Sequence, residues 1–345
     1  MSITAKELAK KLGLSTAAVS LALNNKPGVS TATRRRVLDA AHKYGYDFSR
    51  VNEKTAMHGS IYFIIYKKHG TVVADTPFFA EVSEGISAEC RRRGCPLRVD
   101  YIYEDEDTLS RQLEDLLVSD CNGILLLGTE MESRDVRPFL ELPMPLVLVD
   151  SYFDSTACSS VLINNVQGAY IATRYLIKMC KTQPGHLQSS YPISNFTERR
   201  TGFLAAVRES GMSEYKSPSH SLTPSLEGAE EDMLRIIDSG ENLASSYFAD
   251  NDLIAAGAMR AFRKRGYDIP EDISIVGFDN MPVAAATDPG LTTVHVPKKY
   301  LGETAAARLI SLVNSPGQPP VKTEISTTLI ERGSVRRRTA KDHSS

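Results

Sequence analysis

Short unbroken apolar runs, alternating with helix-length amphipathic stretches, constrain this chain more than any other feature. The runs are Ile61–Tyr66, Leu97–Tyr103, Ile124–Leu127, Leu146–Val149, Val161–Ile163, Tyr247–Ala249, Ile273–Gly277 and Thr292–Val296. Helical patterns such as Phe79–Arg93, Thr108–Ser119 and Gly168–Lys178 separate them. A strand that is apolar on both sides must be covered on both faces. The pattern therefore predicts an α/β body of doubly wound parallel sheets. There are more strands than one open sheet comfortably holds, which predicts two lobes. The length of 345 residues leaves room for such a body and for a further small domain.

The first sixty residues follow another pattern, that of short helices. Thr4 and Glu7 have the spacing of a capping box, Leu8, Ala9 and Leu12 recur at helical spacing, and Gly13 stops the helix. Ser15 opens a second helix over Thr16–Leu23 with Val19, Ala22 and Leu23 inward, and Asn24–Gly28 reads as a turn. Ser30 or Thr31 opens a third helix carrying Val37, Leu38, Ala41 and Tyr44 inward, with Gly45 ending it. Ala9, Gly13 and Val19 form a helix-turn-helix constellation, in which a small residue admits the crossing helix, a glycine makes the turn and a branched residue fills the angle.

Charge supports that reading. The formal net charge of -2 hides a strong asymmetry. Residues 1–60 hold ten basic side chains (Lys6, Lys10, Lys11, Lys26, Arg34, Arg35, Arg36, Lys43, Arg50, Lys54) against four acids (Glu7, Asp39, Asp47, Glu53), giving +6 and leaving -8 for the remainder. A basic head on an acidic body predicts a polyanion partner for the head alone.

Other classes are disfavoured. Charged residues at 24% and hydrophobic residues at 42% are those of a globular chain. No run of roughly 18 apolar residues predicts a membrane helix, and the start shows no secretory pattern. The five cysteines form no C-x-x-C pair, so a reducing, cytoplasmic setting is expected, with cysteines used as small hydrophobes. No phosphate-loop, nucleophile-elbow or zinc-protease motif occurs. The seven histidines are scattered and read as lone surface side chains, so no metal site and no cofactor is expected. Glu230-Glu231-Asp232 reads as a solvated helix face. Residues 47–59 lack an apolar pattern and read as a linker, and the tail from Arg336 reads as frayed.

The segment Leu14-Ser15-Thr16-Ala17-Ala18-Val19-Ser20-Leu21-Ala22-Leu23-Asn24-Asn25-Lys26-Pro27-Gly28-Val29-Ser30, with Thr33-Arg34-Arg35-Arg36-Val37 and Tyr44-Gly45-Tyr46 after it, closely resembles the head of lactose-repressor (LacI/GalR) family regulators. The likeness runs through most of the chain, at Pro77-Phe78-Phe79, Asn164–Ala169, Arg199–Phe203, Asn251-Asp252, Pro270–Asn280, Leu291–Val294 and Leu301-Gly302. It implies a homodimeric transcription regulator that binds a near-palindromic double-stranded operator, has no membrane association, and takes a small-molecule effector such as a sugar. The implied organisation is a helix-turn-helix head over 1–46, a hinge linker over 47–59, and an effector-binding and dimerisation part over 60–345. That part resembles a periplasmic binding protein, with one lobe near 60–160 and 291–320 and the other near 161–290 and 321–335. The chain would cross between lobes near 160, 290 and 320, around a ligand cleft at the strand ends.

By the same resemblance, groove-reading residues fall on Thr16, Ala17 and Leu21, and phosphate contacts on Ser15, Ser20, Asn24 and Thr33. Leu21 departs from the arginine that many members carry. Arginine grips guanine with two hydrogen bonds, whereas leucine touches apolar surface such as a thymine methyl or packs against the head itself. The minor-groove wedge of the hinge falls on Thr55, which has little apolar surface, and Val51 or Met57 takes that place only after realignment. In the cleft, Arg199, Asn251 and Asp279 match recurrent effector contacts. Phe78 or Phe79 would stack on a sugar ring, and Asp150 and Asn165 are further candidates. Four of these have a plainer alternative: Arg199 in an interlobe salt bridge, Asp279 as a cap, Phe78 and Phe79 as core. The expected function is a ligand-responsive repressor, not an enzyme. The alternative is a cytoplasmic enzyme acting on a small hydroxylated metabolite in the same cleft.

Overall fold

The local chemistry of the first turns builds the head. In the computed structural model, which describes residues 3–23, 28–46, 59–68, 70, 72–73, 77–104 and 106–337, α1 spans Ala5–Leu12 and opens on the capping box: Glu7 N donates to Thr4 Oγ1 at 3.3 Å and Thr4 N donates to Glu7 Oε2 at 2.8 Å. Gly13, at φ 65°, closes the helix by donating its N–H to Ala9 O. α2 spans Thr16–Leu23 and starts from Ser15, whose Oγ accepts Ala18 N at 3.1 Å. α3 spans Thr31–Lys43 with Ser30 as its cap. Leu8, Ala9, Val19, Ala22, Leu23, Val37, Ala40 and Ala41 are buried together between these helices. Arg36 NH2 donates to Leu12 O at 2.8 Å and ties α3 to the end of α1. The Asn24–Pro27 part of the turn, and the linker with Val51, Thr55 and Met57, lie outside the described residues.

Among the described residues, twelve strands form two six-stranded sheets. Chain order is β1 (Ser60–Lys67), α4 (Pro77–Arg92), β2 (Leu97–Tyr103), α5 (Glu106–Val118), β3 (Cys121–Leu127), α6 (Arg137–Leu140), β4 (Leu146–Val149) and β5 (Ser159–Ile163). Then come α7 (Asn165–Cys180), β6 (Gly185–Ser189), α8 (Ser194–Glu209), β7 (Ser219–Leu222), α9 (Leu226–Asp238), β8 (Ser246–Ala249), α10 (Asp252–Lys264) and β9 (Ser274–Asp279). The last elements are α11 (Pro282–Ala286), β10 (Thr292–His295), α12 (Lys298–Asn314), β11 (Lys322–Ile325) and β12 (Thr328–Ile330).

The first sheet has the order β11-β5-β4-β3-β1-β2 and the second β12-β10-β9-β8-β6-β7. Strands β1 to β5 pair in parallel, as do β6 to β10, and β12 runs antiparallel to β10. The two strand orders repeat one another, with β6–β10 in the places of β1–β5. Strands β3, β4, β5, β8 and β9 are buried along almost their whole length, as sheets covered on both faces require.

Among the described residues, one compact unit takes the chain up to 68, 82–162 and 299–323. The other takes 69–81, 163–298 and the chain from 324. The passage expected near 290 falls after Lys298, because β10 is hydrogen-bonded to β9 and belongs to the second sheet. Residues 291–298 therefore fall outside the first unit, where the expected lobe placed them.

Strands β6 and β7 carry no apolar run, and the histidines on them explain why they are strands all the same. His186 is buried, with Nε2 2.8 Å from Asp250 Oδ1, and its ring stacks on Phe203 and Phe248. His220 is also buried, Nδ1 lying 3.2 Å from Glu241 Oε2 and Nε2 3.2 Å from the Tyr247 hydroxyl. These two are not the lone surface side chains expected, because partners remote in sequence satisfy their polar atoms. Glu230 departs in the same way: it is buried on α9 and paired with Lys264 and Arg260. The cysteines are buried or half-buried and no disulfide joins them. Burial pushes the Cys90 and Cys121 thiols up to about 12, which keeps them protonated.

Candidate nucleic-acid interface and effector site

α2 separates its residues by period. Val19, Ala22 and Leu23 face the core, while Thr16, Ala17 and Ser20 are exposed, together with Ser15 before them. Leu21 is half-buried, and a Cβ placed on Gly28 would lie 3.2 Å from Leu21 Cδ1, so the side chain lies beside Gly28. Ser15 Oγ accepts the Ala18 N–H and keeps its own hydrogen to donate. Thr33 Oγ1 lies 2.8 Å from Ser30 Oγ at the start of α3. Lys6, Lys10 and Lys11 on α1 and Arg35 and Arg36 on α3 are exposed. Asn24 lies outside the described residues.

The second unit gathers several of the remaining candidates at the carboxyl ends of its strands. Arg199, on the second turn of α8, is buried. Its Nε donates to Asn165 Oδ1 at 2.9 Å, its NH1 to the Asp250 carbonyl, and its NH2 to Asp279 Oδ1 at 3.2 Å. The guanidinium lies 3.8 Å from the Phe278 ring centroid. α8 can bring it there because Gly202 lets the two backbones meet: a Cβ at 202 would collide with the Val166 carbonyl of α7. Asn165 Nδ2 donates onward to Glu198 Oε2 at 2.9 Å. The salt bridge foreseen for Arg199 therefore exists, and its partner lies in the same unit.

Asn251 is the cap of α10, its Oδ1 accepting Ile254 N at 2.9 Å, so its Nδ2 amide is the group left to offer. Asp279 ends β9 at φ 101°, a conformation that favours glycine and is held here by bonds on both its side chain and its carbonyl. Phe79 is half-buried on the first turn of α4, edge to face with the buried Phe78 at 5.0 Å between centroids. Asp150 belongs to the first unit. It follows β4 at φ 60°, buried, and accepts from Thr129 Oγ1 at 2.7 Å. Strand β4 holds in its sheet the place that β9 holds in the other. Asp150 and Asp279 are thus equivalent strand-end aspartates, each with positive φ.

Two residues of this neighbourhood are not among the expected effector contacts. Lys298 is buried, donates Nζ to the Asp279 carbonyl at 2.8 Å and lies 3.5 Å from Glu81 Oε1. It joins the first turn of α4 to the end of β9. Asp252, fully buried, accepts Met281 N at 2.6 Å and Thr293 Oγ1 at 2.5 Å.

Burial, reinforced by the charge of Asp279, pushes the Asp252 carboxyl up to about 8. The folded chain then holds a proton that the unfolded chain releases near the ordinary aspartate range. Stability should therefore fall as pH rises from about 4 toward 8, by up to about 1.4 kcal/mol per pH unit from this group. Urea unfolding across that window should show the slope in the native chain and its loss in Asp252→Asn; equal slopes would refute it.

Residues 4–48 match the family model of bacterial regulatory proteins, lacI family, and residues 188–335 match that of a periplasmic binding protein-like domain. The HTH-type transcriptional regulator GalS of Salmonella typhimurium strain LT2 is 31% identical over 306 residues, 88% of each chain. The HTH-type transcriptional repressor PurR of Mannheimia succiniciproducens is 30% identical over 341 residues, 97% of this chain and 99% of its own. Among solved structures, the complex of transcriptional regulator CelR with cellobiose aligns with a TM-score of 0.72 at 24% identity. That alignment covers 96% of this chain and 99% of the other, and the likeness is one of fold.

Proposed function

The chain belongs to the lacI family of bacterial regulatory proteins, and from that premise we propose that it is a repressor whose operator affinity is set by a small hydroxylated metabolite, a sugar in the first instance. One observation carries this reading. A basic helix-turn-helix head shares a chain with a body whose strand ends hold a buried, fully oriented arginine among Asn165, Asp279 and the Asp250 carbonyl. Such fixed donors and acceptors suit paired hydroxyls, and the structural relative CelR is a complex with cellobiose.

In this proposal the organisation is head 1–46, linker 47–59 and effector and dimerisation part 60–345, and the protein works in the cytoplasm as a homodimer. Thr16, Ala17 and Leu21 meet base edges, and Ser15, Ser20, Asn24 and Thr33 meet phosphates, which fix register without carrying sequence. Phe79, Asp150, Asn165, Arg199, Asn251 and Asp279 are the effector contacts. A ligand that prefers one conformation of the protein shifts operator affinity by its differential affinity for the two. The relatives GalS and PurR are regulators by name, and an enzyme reading leaves the basic head without a role. Among the described residues, no helix is long and apolar enough to cross a membrane.

Selection of sites from random duplex DNA by the full-length protein tests the reading, followed by release of the selected duplex with a panel of sugars and a metabolite extract. An enriched palindrome released by one fraction supports it, and no enrichment whether the extract is absent or present during selection sinks it. Salt gives a second check. If about six phosphates are neutralised across a dimer, affinity should fall roughly a thousandfold between 50 and 200 mM salt. A flat titration would count against docking through the exposed Lys and Arg of the head.

A further inference from the structure

Within α2, no side chain can make a two-pronged hydrogen bond to a base. Its sequence is Thr-Ala-Ala-Val-Ser-Leu-Ala-Leu. Thr16, Ala17, Ser20 and Leu21, related by steps of one, three and four, share the outward face. In the major groove, guanine is gripped at O6 and N7 by Arg or Lys, and adenine at N6 and N7 by Asn or Gln; Asp or Glu accepts from cytosine N4. The face of α2 has none of these. It presents methyl groups from Thr16, Ala17 and Leu21, and the hydroxyls of Thr16 and Ser20.

Leu21 is also close-packed on one side. Gly28 sits at φ 117°, where an L side chain would be strained, and a Cβ there would press on Leu21 Cδ1. The leucine thus lies beside Gly28 and stays half-exposed, with apolar surface left to meet a base. The two alternatives for this residue, packing on the head or touching the groove, are compatible in one rotamer. A guanine edge brought against this surface would lose water from O6 and N7 and gain no donor. The thymine C5 methyl is the apolar group that base pairs display in the major groove.

We propose that the head reads its half-sites chiefly through thymine C5 methyl groups, with Leu21 and Ala17 as the contacts. The proposal deepens the DNA-binding reading above and rests on it.

The test starts from the selected site and replaces its thymines one at a time by deoxyuridine, which pairs identically but lacks the methyl. Full-length protein should bind about fourfold more weakly for each contacted position, the worth of one buried methyl. Leu21→Ala should erase the penalty at its own position, whereas Leu21→Met, which keeps the apolar surface, should retain it. An enriched palindrome that tolerates deoxyuridine at every position overturns this proposal and leaves the regulator reading standing. Absence of any enriched site overturns both.

Discussion

Arg199→Ala should yield a protein that holds its operator and ignores its effector. The side chain is committed through Nε, NH1 and NH2 to Asn165, Asp250 and Asp279, and its guanidinium sits 3.8 Å from the Phe278 ring centroid. It is therefore oriented before any ligand arrives, which lowers the ordering cost of a ligand bound against it. Truncating a buried, hydrogen-bonded charge commonly costs about 2–5 kcal/mol of binding, roughly 30-fold to several thousandfold. Stability should drop too, because the substitution leaves the Asp279 carboxylate buried without its cation, a loss of about 3–5 kcal/mol for such pairs. Arg199→Lys keeps the charge but not the planar fork, and should fall between. The head folds around its own buried core, so operator affinity should stay within a few-fold of the native chain. The measurement is release of the operator duplex by the active metabolite, beside a thermal scan. An unchanged response removes Arg199 from the site.

Val19→Asp should produce the opposite phenotype. Val19 is fully buried on the inner face of α2, among Leu8, Ala9, Ala22 and Val37. A carboxylate has no partner in that cluster and would be expelled or would force the helices apart. A domain of some forty residues buries too little surface to absorb several kcal/mol. Operator affinity should therefore fall by about a thousandfold or more, to the level of sequence-independent binding. The body should still show a thermal shift with the active metabolite. Retention of tight operator binding by Val19→Asp would mean that DNA is read elsewhere on the chain.

What the sequence disclosed depended on how local each cause is. The capping box of Thr4 and Glu7 and the stop at Gly13 lie within a few residues of what they control, and the structure shows both. Strands such as β3, β4 and β9 were legible because unbroken apolar runs have few other fates in a globular chain. Strands β6 and β7 were not, since pattern reading treats a histidine as exposed, and the partners of His186 and His220 lie 64 and 21 residues away. The end of the second unit at Lys298 was misplaced for a similar reason: pairing of β10 with β9 decides it. At the site, Arg199, Asn165 and Asp279 came from family likeness, and the structure adds that they bond to one another. The bonding of Lys298 and Asp252 stayed hidden because their partners are a main-chain carbonyl, a main-chain N–H and a threonine hydroxyl, which no spacing announces.

Strands β11 and β12 impose a schedule on synthesis. The first sheet takes its edge strand from residues 322–325, where Ser160 N donates to Val321 O and Asn164 N to Ile325 O. The second takes its edge from residues 328–330, and the buried Ser334 then bonds to Ile275 and Thr292. Nascent chains otherwise fold domain by domain from the N-terminus. Here neither α/β unit can close its sheet until the same short stretch has left the ribosome, and until then β5 and β10 are open edges ready to pair with another chain. A chain that ends just before that stretch lacks an edge strand in both sheets, so one late truncation damages both α/β units at once.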